Sequence, residues 1–234
     1  MKPTSKVSFK IAAAMLGILL RTITRMEVRG RENLPRDGAI IAVCNHVHLL
    51  DPIIHILSIL PRDSIFMAKE ELFSNGQMPL IPFLMNVAEA FPVRRRGTPQ
   101  EIEEALHKAD SVLAEGHVFG IYPEGMRSKA GRLRSAYHGA AKIALRSGAP
   151  LIPVGISGTE KLNGIGWMSR PRVVVNFGKP FSIPTTDTKP TNLQLQAFTE
   201  AIMAELCSVL PQEYHGRYGI PANSIQDSTD GDND

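Results

Sequence analysis

The feature that most constrains the fold is an alternation of short apolar runs, rich in β-branched residues, with longer segments of helical periodicity. The short runs predict strands over Ala39–Cys44, Ser64–Met67, Ala90–Val93, His117–Tyr122, Leu151–Ser157 and Arg172–Phe177. The periodic segments predict helices over Pro52–Leu60, Glu101–Glu115, Ala136–Arg146 and Leu193–Leu210. This order is typical of an α/β fold with a mixed, largely parallel sheet and helices on both faces.

Proline and cysteine add two constraints. Pro153 lacks the N–H that a ladder of hydrogen bonds needs, so we expect its strand at an edge or an end of the sheet. Cys44 and Cys207 lie far apart without a C-x-x-C spacing, which excludes a disulfide framework and a zinc knuckle. The cysteine content therefore predicts a protein of a reducing compartment without a metal site.

Positive charge is concentrated at the amino terminus, where residues 1–36 hold eight Lys or Arg and two Glu. We predict that residues 1–29 form a basic amphipathic helix lying on an anionic membrane surface. On a helical wheel Lys6, Lys10, Arg21 and Arg25 share one side, and the opposite half is apolar: Phe9, Ile11, Ala12, Met15, Leu16, Ile18, Leu19, Leu20, Ile23 and Met26. The alternative is a helix packed on its own domain.

The apolar run at this end is too short to span a bilayer, since Ile11–Leu20 is about half of the ~20 residues required. Nucleic acid is not an expected partner, because Phe9 is the only aromatic residue there for stacking on bases. We predict one domain over residues 30–220 and a disordered acidic tail over residues 221–234.

The first candidate site is Asn45-His46-Val47-His48-Leu49-Leu50-Asp51, between a predicted strand and a predicted helix, where α/β sheets commonly hold their sites. If this loop turns back, Asp51 can accept a hydrogen bond from one imidazole nitrogen of His46 and leave the other as a general base. By spacing alone, His48 and His55 compete for that role.

Two other interpretations of this segment stay open. Asp51 could serve only as the cap of the helix that begins at Pro52, with His46 an ordinary loop histidine. Cys44 could act as a nucleophile, although a strand residue beside a site is more often a small buried hydrophobe.

Two further loops follow predicted strands and carry cations. Tyr122-Pro123-Glu124-Gly125-Met126-Arg127-Ser128 would point the Arg127 guanidinium at an anion, and Gly125 would let the backbone approach a ligand closely. Arg94 and Arg95 follow Phe91-Pro92-Val93 and can serve a phosphate in the same way. A surface ion pair between Glu124 and Arg127 is the alternative.

Together, and in this order, these segments resemble the glycerolipid acyltransferase family from about Gly30 to Tyr218. Asn45, His46 and Asp51 match its Asn-His-x4-Asp signature. Residues 122–128 match Phe-Pro-Glu-Gly-Thr-Arg-Ser with Tyr for Phe and Met for Thr, and Ile152-Pro153-Val154 matches a further block. In a Gly-x-Phe-Pro-Val-x-Arg block Arg95 takes the arginine place, and His138 stands where many relatives carry Lys.

The resemblance implies a glycerol-3-phosphate acyltransferase-like fold, so that residues 30–220 would be an acyltransferase domain. It implies that His46 and Asp51 are catalytic, and that the substrates are bound by Asn45, Arg94, Arg95, Glu124, Gly125, Arg127, Ser128 and Pro153. The expected reaction moves a fatty acyl group from acyl-CoA or acyl-carrier protein to the free hydroxyl of 1-acyl-glycerol-3-phosphate, forming phosphatidic acid. No metal or other cofactor is expected, because the acyl thioester is a cosubstrate.

Because both substrates carry acyl chains, we expect a peripheral or monotopic protein on the cytoplasmic face of the cell membrane, with acyl-carrier protein as an alternative partner. Two other functions remain open at this point. The same chemistry could act on another lysophospholipid or on glycerol 3-phosphate. A silent lipid-binding protein could also retain the pocket.

Overall fold

A seven-stranded sheet organises the computed structural model, which describes residues 15–70, 90–94, 97–184 and 189–219. The strands are β1 (Arg25–Arg29), β2 (Ile40–Cys44), β3 (Ser64–Lys69), β4 (Phe91–Val93), β5 (Val118–Ile121), β6 (Leu151–Ser157) and β7 (Arg172–Phe177). Their spatial order is β1-β7-β6-β2-β5-β3-β4, and neighbours are parallel except for the antiparallel pair β6 and β7. The central strand β2 is therefore flanked by two parallel neighbours.

Helices cover both faces of this sheet. They are α1 (residues 15–23), α2 (Asp51–Ile59), α3 (Pro99–Ala114), α4 (Gly139–Ser147) and α5 (Asn192–Ser208). Ile41 and Val43 of β2 pack with α3, α4 and α5, whereas Ile40 and Ala42 pack with α1 and α2. Because successive strand residues point to opposite faces, all five residues of β2 are buried. The predicted α/β class, with a mostly parallel sheet and helices on both faces, is confirmed.

The predicted strands and helices are present, with shifts of a few residues at their ends. Helix α3 begins at Pro99 rather than Glu101, because Thr98 and Glu101 form a reciprocal capping box around its first turn. Thr191 and Gln194 form the same device at the start of α5. Polar side chains thus satisfy the first N–H groups of both helices, which an apolar periodicity alone does not reveal.

The amino-terminal prediction needs a correction, because Arg25–Arg29 is a strand and not part of the helical segment assigned to residues 1–29. Helix α1 ends at residue 23, and β1 then pairs in parallel with β7, opposite Arg172–Asn176. The exposed edge of β7 supplies hydrogen bonds that the local apolar pattern does not record. Glu27 adds ion pairs with Arg29 and with Arg172, the latter at 2.6 Å.

The prediction that Pro153 marks an edge strand is wrong, since β6 lies between β2 and β7. The Pro153 carbonyl accepts from the Gly178 N–H at 2.9 Å and so points to the β7 side of the strand. Its N–H position faces the same side, and the β6–β7 ladder ends at the next pair, Val154 with Phe177. The missing donor therefore costs the sheet no ladder bond.

Helix α1 packs on its own domain along one side and is exposed along the other, and its contact with a membrane stays a prediction. Leu20 is buried, and Leu16 and Ile23 pack against the core beneath β2. Met15, Ile18 and Leu19 are exposed. Residues 1–14 and 220–234, which include the predicted Lys6, Phe9 and Lys10 positions and the acidic tail, lie outside the described residues. In the described part of the chain, no helix has the length and hydropathy to cross a membrane.

Gly120 in β5 offers a test of the packing on which the sheet depends. A Cβ there would lie 2.1 Å from the ring of Phe66, which is itself buried. We therefore expect Gly120→Val to lower the free energy of unfolding by about 1–3 kcal/mol or more, because the ring has little room to move. Urea unfolding measures this change. Gly139→Ala is the control, since its Cβ would meet Ile121 at an ordinary 3.6 Å; equal midpoints for the two variants would contradict the expectation.

Candidate active site

The loop between β2 and α2 turns back on itself around the carboxylate of Asp51, which is 0% exposed. One carboxylate oxygen, Oδ2, accepts from His46 Nδ1 at 3.0 Å and from the N–H groups of Val47 and His48, each at 2.7 Å. The other, Oδ1, accepts from the Thr159 hydroxyl at 2.8 Å. Four donors thus compensate a buried charge that would otherwise be costly, and they hold His46 in place.

This geometry excludes the simple capping interpretation of Asp51. Leu50 occupies the N-cap position of α2, and no side chain forms a capping hydrogen bond there. The carboxylate instead points back into the preceding loop. Its position in the first helical turn is still favourable, because the amino-terminal end of a helix stabilises negative charge.

His46 is oriented for proton transfer. A carboxylate partner at Nδ1 selects the tautomer with the proton on that nitrogen and leaves Nε2 as the basic site. Nε2 has no hydrogen-bond partner among the described residues, and the ring lines a cavity. The imidazole also packs on the Tyr122 ring, with centroids 4.5 Å apart. Orientation by an acid on one side and access on the other is the arrangement of a general base.

The rival groups named from the sequence are placed differently. Burial lowers the pKa of His48, and its Nδ1 accepts from the Leu50 N–H at 3.3 Å. Burial lowers the pKa of His55 to about 3, and that ring lies 3.5 Å from both the Cys44 thiol and the Ser64 hydroxyl. The Cys44 thiol is buried away from solvent. This burial raises its pKa and so favours the protonated thiol. His46 is the histidine of this set that lines the cavity.

The motif that follows β5 supports the His46 backbone from the other side. Glu124, 2% exposed, accepts from the His46 N–H at 3.1 Å and from the Arg134 N–H at 3.0 Å. The Ser128 N–H donates to the His46 carbonyl at 2.7 Å. Gly125 has a φ of 68°, and a Cβ there would lie 2.8 Å from the Tyr137 ring, which explains why glycine stands at this position of the cavity wall. The alternative of a surface ion pair between Glu124 and Arg127 is not what the structure shows.

Asn45 and Pro153 lie away from the cavity. The Asn45 amide donates to the Ile156 carbonyl at 2.8 Å and accepts from the Ile156 N–H at 2.7 Å. Because Asn45 is 2% exposed, it anchors the loop to β6 rather than presenting a polar group to a ligand. Pro153 is buried within β6.

The arginines differ in how their charge is compensated. Arg94 lines the cavity and forms ion pairs with Glu70 and, at 3.0 Å, with Glu101. Arg127 is exposed and has no carboxylate partner among the described residues. The next residue, Ser128, donates its N–H to the His46 carbonyl at 2.7 Å, which places the Arg127 backbone beside the same loop. Arg95 lies outside the described residues.

The cavity has a volume of about 400 Å³, within the range of small-molecule sites. It lies between the β3–β4 end of the sheet and α3, and its wall is mainly apolar: Phe66, Met67, Ala68, Ala90, Val93, Ile102, Ala105, Leu106 and Ile121. His46 and Tyr122 line it together with His138 and Lys142. The His46 imidazole therefore faces an apolar chamber.

Three contributors to the site were not assigned a role from the sequence. Thr159 completes the shell around Asp51, Phe66 stacks on Tyr122 with centroids 5.5 Å apart, and Tyr122 packs on His46. His138, noted only as a departure from a pattern, bonds the Thr199 hydroxyl at 2.9 Å. The sequence around Thr159 does not reveal this role, because its contact with Asp51 spans 108 positions.

The buried carboxyl of Glu124 should make stability depend on pH. Burial raises its pKa to about 7, against the opposing effect of the two backbone N–H groups. The native state then holds a proton that the unfolded chain has already released, so the free energy of unfolding should fall as pH rises towards about 7. Glu124→Gln should lack this fall, and urea unfolding at about pH 5 and about pH 8 measures the difference. The exposed Glu205→Gln is the control; parallel pH profiles for wild type and Glu124→Gln would contradict the expectation.

Comparison with known proteins agrees with this geometry. Residues 25–157 match the Acyltransferase family. The chain is 30% identical over 195 residues to a 1-acyl-sn-glycerol-3-phosphate acyltransferase of Bacillus subtilis, covering 83% of this chain and 92% of that protein. It is 30% identical to a protein of the same name from Borreliella burgdorferi, covering 66% of this chain and 58% of that one.

A solved structure gives the same result for the fold. The crystal structure of the 1-acyl-sn-glycerophosphate (LPA) acyltransferase PlsC from Thermotoga maritima superposes with a TM-score of 0.60 at 26% identity. The match covers 86% of this chain and 80% of that one. With its sheet, its His46–Asp51 pair and the family match over residues 25–157, the chain belongs to the acyltransferase family and is an enzyme of the 1-acylglycerol-3-phosphate acyltransferase type.

Proposed function

We propose that the enzyme transfers a fatty acyl group from an acyl thioester to the free hydroxyl of 1-acyl-glycerol-3-phosphate, forming phosphatidic acid. The observation that carries this proposal is the His46–Asp51 pair at the wall of an apolar cavity. The names of the relatives from Bacillus subtilis and Borreliella burgdorferi support the choice of acceptor.

In the proposed mechanism His46 Nε2 removes the proton from the acceptor hydroxyl, and the oxygen attacks the thioester carbonyl carbon. The C–O bond forms, and the tetrahedral intermediate collapses as the C–S bond breaks. The departing thiolate takes up the proton that His46 received. The Asp51 carboxylate stabilises the imidazolium that forms. No enzyme side chain is acylated, in agreement with the inaccessible thiol of Cys44.

The acceptor phosphate is assigned to Arg127. Arg127 precedes Ser128, whose N–H bonds the His46 carbonyl, and its guanidinium is not compensated by a carboxylate within the described residues. Arg94 would first have to leave Glu70 and Glu101. Arg95 stays a prediction from the sequence.

The remaining expectations are part of the same proposal. The acyl thioester, acyl-CoA or acyl-carrier protein, is a cosubstrate, and no prosthetic group takes part. The protein acts as a peripheral or monotopic protein on the cytoplasmic face of the cell membrane, because its lipid acceptor and product reside in a bilayer.

The direct test of the proposed function is thiol release from acyl-CoA in detergent with and without lysophosphatidic acid, followed by lipid analysis. Acceptor-dependent thiol release with phosphatidic acid as product supports the proposal. Thiol release only with another lysolipid would identify that lysolipid as the acceptor in place of lysophosphatidic acid.

His46→Ala should reduce turnover by about 10²–10⁴-fold, because general-base catalysis is lost while the cavity remains. Thiol release at saturating substrates measures this loss. The control is His107→Ala, an exposed histidine on α3 whose removal should leave turnover unchanged. Wild-type turnover in His46→Ala would reject the pair as the catalytic base, and a larger loss in His48→Ala would transfer that role to His48.

Arg127→Ala should raise the KM for lysophosphatidic acid by about 10–100-fold, as expected for one lost charged hydrogen-bonding partner. The KM for acyl-CoA should stay unchanged. The difference in acceptor KM between the wild type and Arg127→Ala should vanish for a monoacylglycerol acceptor, which has no phosphate. Arg132→Ala removes the same charge from a neighbouring exposed position and is the control. A defect confined to the acyl-CoA KM would contradict the assignment.

A further inference from the structure

The loop between β6 and β7 exposes three large apolar side chains within four residues. Ile165, Trp167 and Met168 are 79%, 47% and 67% exposed, and they lie on and beside the one-turn helix Gly166–Ser169. Single exposed apolar residues are ordinary, but a group of this size marks a surface that meets another apolar phase. None of the three lines the cavity, so substrate binding in that chamber does not explain them.

The end of α1 lies next to the end of this turn. The Arg170 guanidinium donates to the Arg21 carbonyl at 3.3 Å, and the Arg25 N–H donates to the Pro171 carbonyl at 2.9 Å. These bonds hold the end of the turn against the end of α1. Ile18 stands one helical turn before Arg21 and is exposed, as are Met15 and Leu19. We call the combined set, Met15, Ile18, Leu19, Ile165, Trp167 and Met168, the apolar surface.

Positive charge surrounds the apolar surface. Arg21, Arg25 and Arg170 are exposed, and none of them forms an ion pair with a carboxylate among the described residues. The guanidinium groups of Arg25 and Arg170 donate to backbone carbonyls instead. The nearby Glu27 is already paired with Arg29 and Arg172. Apolar side chains fringed by uncompensated arginines match an anionic lipid surface, where the apolar groups enter and the cations meet headgroups.

The same loop reaches the catalytic pair at its other end. Thr159 donates to Asp51 Oδ1 at 2.8 Å, and the side chain of Asn163 approaches His48 closely enough to affect its titration. Ile165 follows two residues later. A turn that enters the headgroup layer would therefore bring the His46 loop to the lipid surface.

We propose that the Gly166–Ser169 turn is a second membrane anchor, which enters the headgroup layer of an anionic bilayer beside α1. The inference rests on the proposed membrane association and names the surface that performs it, and its test measures lipid binding rather than turnover. A tryptophan suits this place, because its ring combines a large apolar area with one polar N–H.

Trp167 is the only tryptophan of the chain, so it reports directly on the turn. The fluorescence of the full-length protein is recorded with vesicles of phosphatidylcholine and phosphatidylglycerol, and with vesicles of phosphatidylcholine alone. We expect a blue shift with the anionic vesicles, a weaker one with the neutral vesicles, and quenching by phosphatidylcholine brominated near the top of its acyl chains. An unchanged Trp167 spectrum, whether or not the protein sediments with the vesicles, would overturn the proposal.

A double substitution, Ile165→Ser with Met168→Ser, keeps the reporter and removes its apolar neighbours. We expect it to weaken partition into anionic vesicles by about tenfold or more. Leu193→Ser is the matched control, since Leu193 is 78% exposed at the start of α5 and lies outside the apolar surface. Deleting residues 1–27 would not be a suitable test of membrane binding, because the deletion would also remove most of β1.

The double variant also separates this inference from the proposed reaction. Acyl transfer to detergent-dispersed lysophosphatidic acid should stay at the wild-type rate, because the substituted residues lie outside the cavity. Wild-type partition in the double variant would overturn the anchor whatever the activity. A concentration-dependent dimer of the wild type that the double variant abolishes would instead identify the apolar surface as a contact between two copies, and would also overturn it.

Discussion

The buried carboxylate of Asp51 is the interaction on which the site depends. An unpaired charge in this position would be very costly, so the fold must bring donors to it from separate parts of the chain. Its own loop supplies the His46 ring and two backbone N–H groups, and Thr159 arrives from beyond β6. One electrostatic requirement thus closes the β2–α2 loop, fixes the tautomer of the His46 imidazole and ties the loops after β2 and β6 together.

The order of the strands explains why these groups meet. β2 lies between β5 and β6 and is parallel to both, so the loops that follow the three strands leave the same edge of the sheet. The His46 backbone is held by Glu124 and Ser128 after β5, and Asn45 is held by Ile156 of β6. His46 is therefore held by hydrogen bonds that join its loop to the segments after β5 and to β6, each with a backbone group on at least one side.

A second chain of contacts shapes the chamber in front of the base. Gly120 leaves room for the Phe66 ring, Phe66 stacks on Tyr122, and Tyr122 packs on His46. The same aromatic groups form part of the cavity wall. Packing in β5 is thus coupled to the position of the imidazole. The loop from Thr159 to Ser169 extends from Asp51 outward to the exposed apolar surface, which we propose as a membrane contact.

Local sequence determined the parts that depend on near neighbours: the α/β class, the approximate limits of six strands and four helices, and the motif containing His46 and Asp51. Tertiary structure decided the rest. Only the pairing with β7 makes Arg25–Arg29 a strand. Only the end of the separate β6–β7 ladder at Val154 admits Pro153 in an inner strand. Spacing could not choose His46 over His48 and His55, because burial and access separate them. The physical reason is that charge compensation, desolvation and edge pairing are set by residues far away in the chain, and a local pattern carries no record of them.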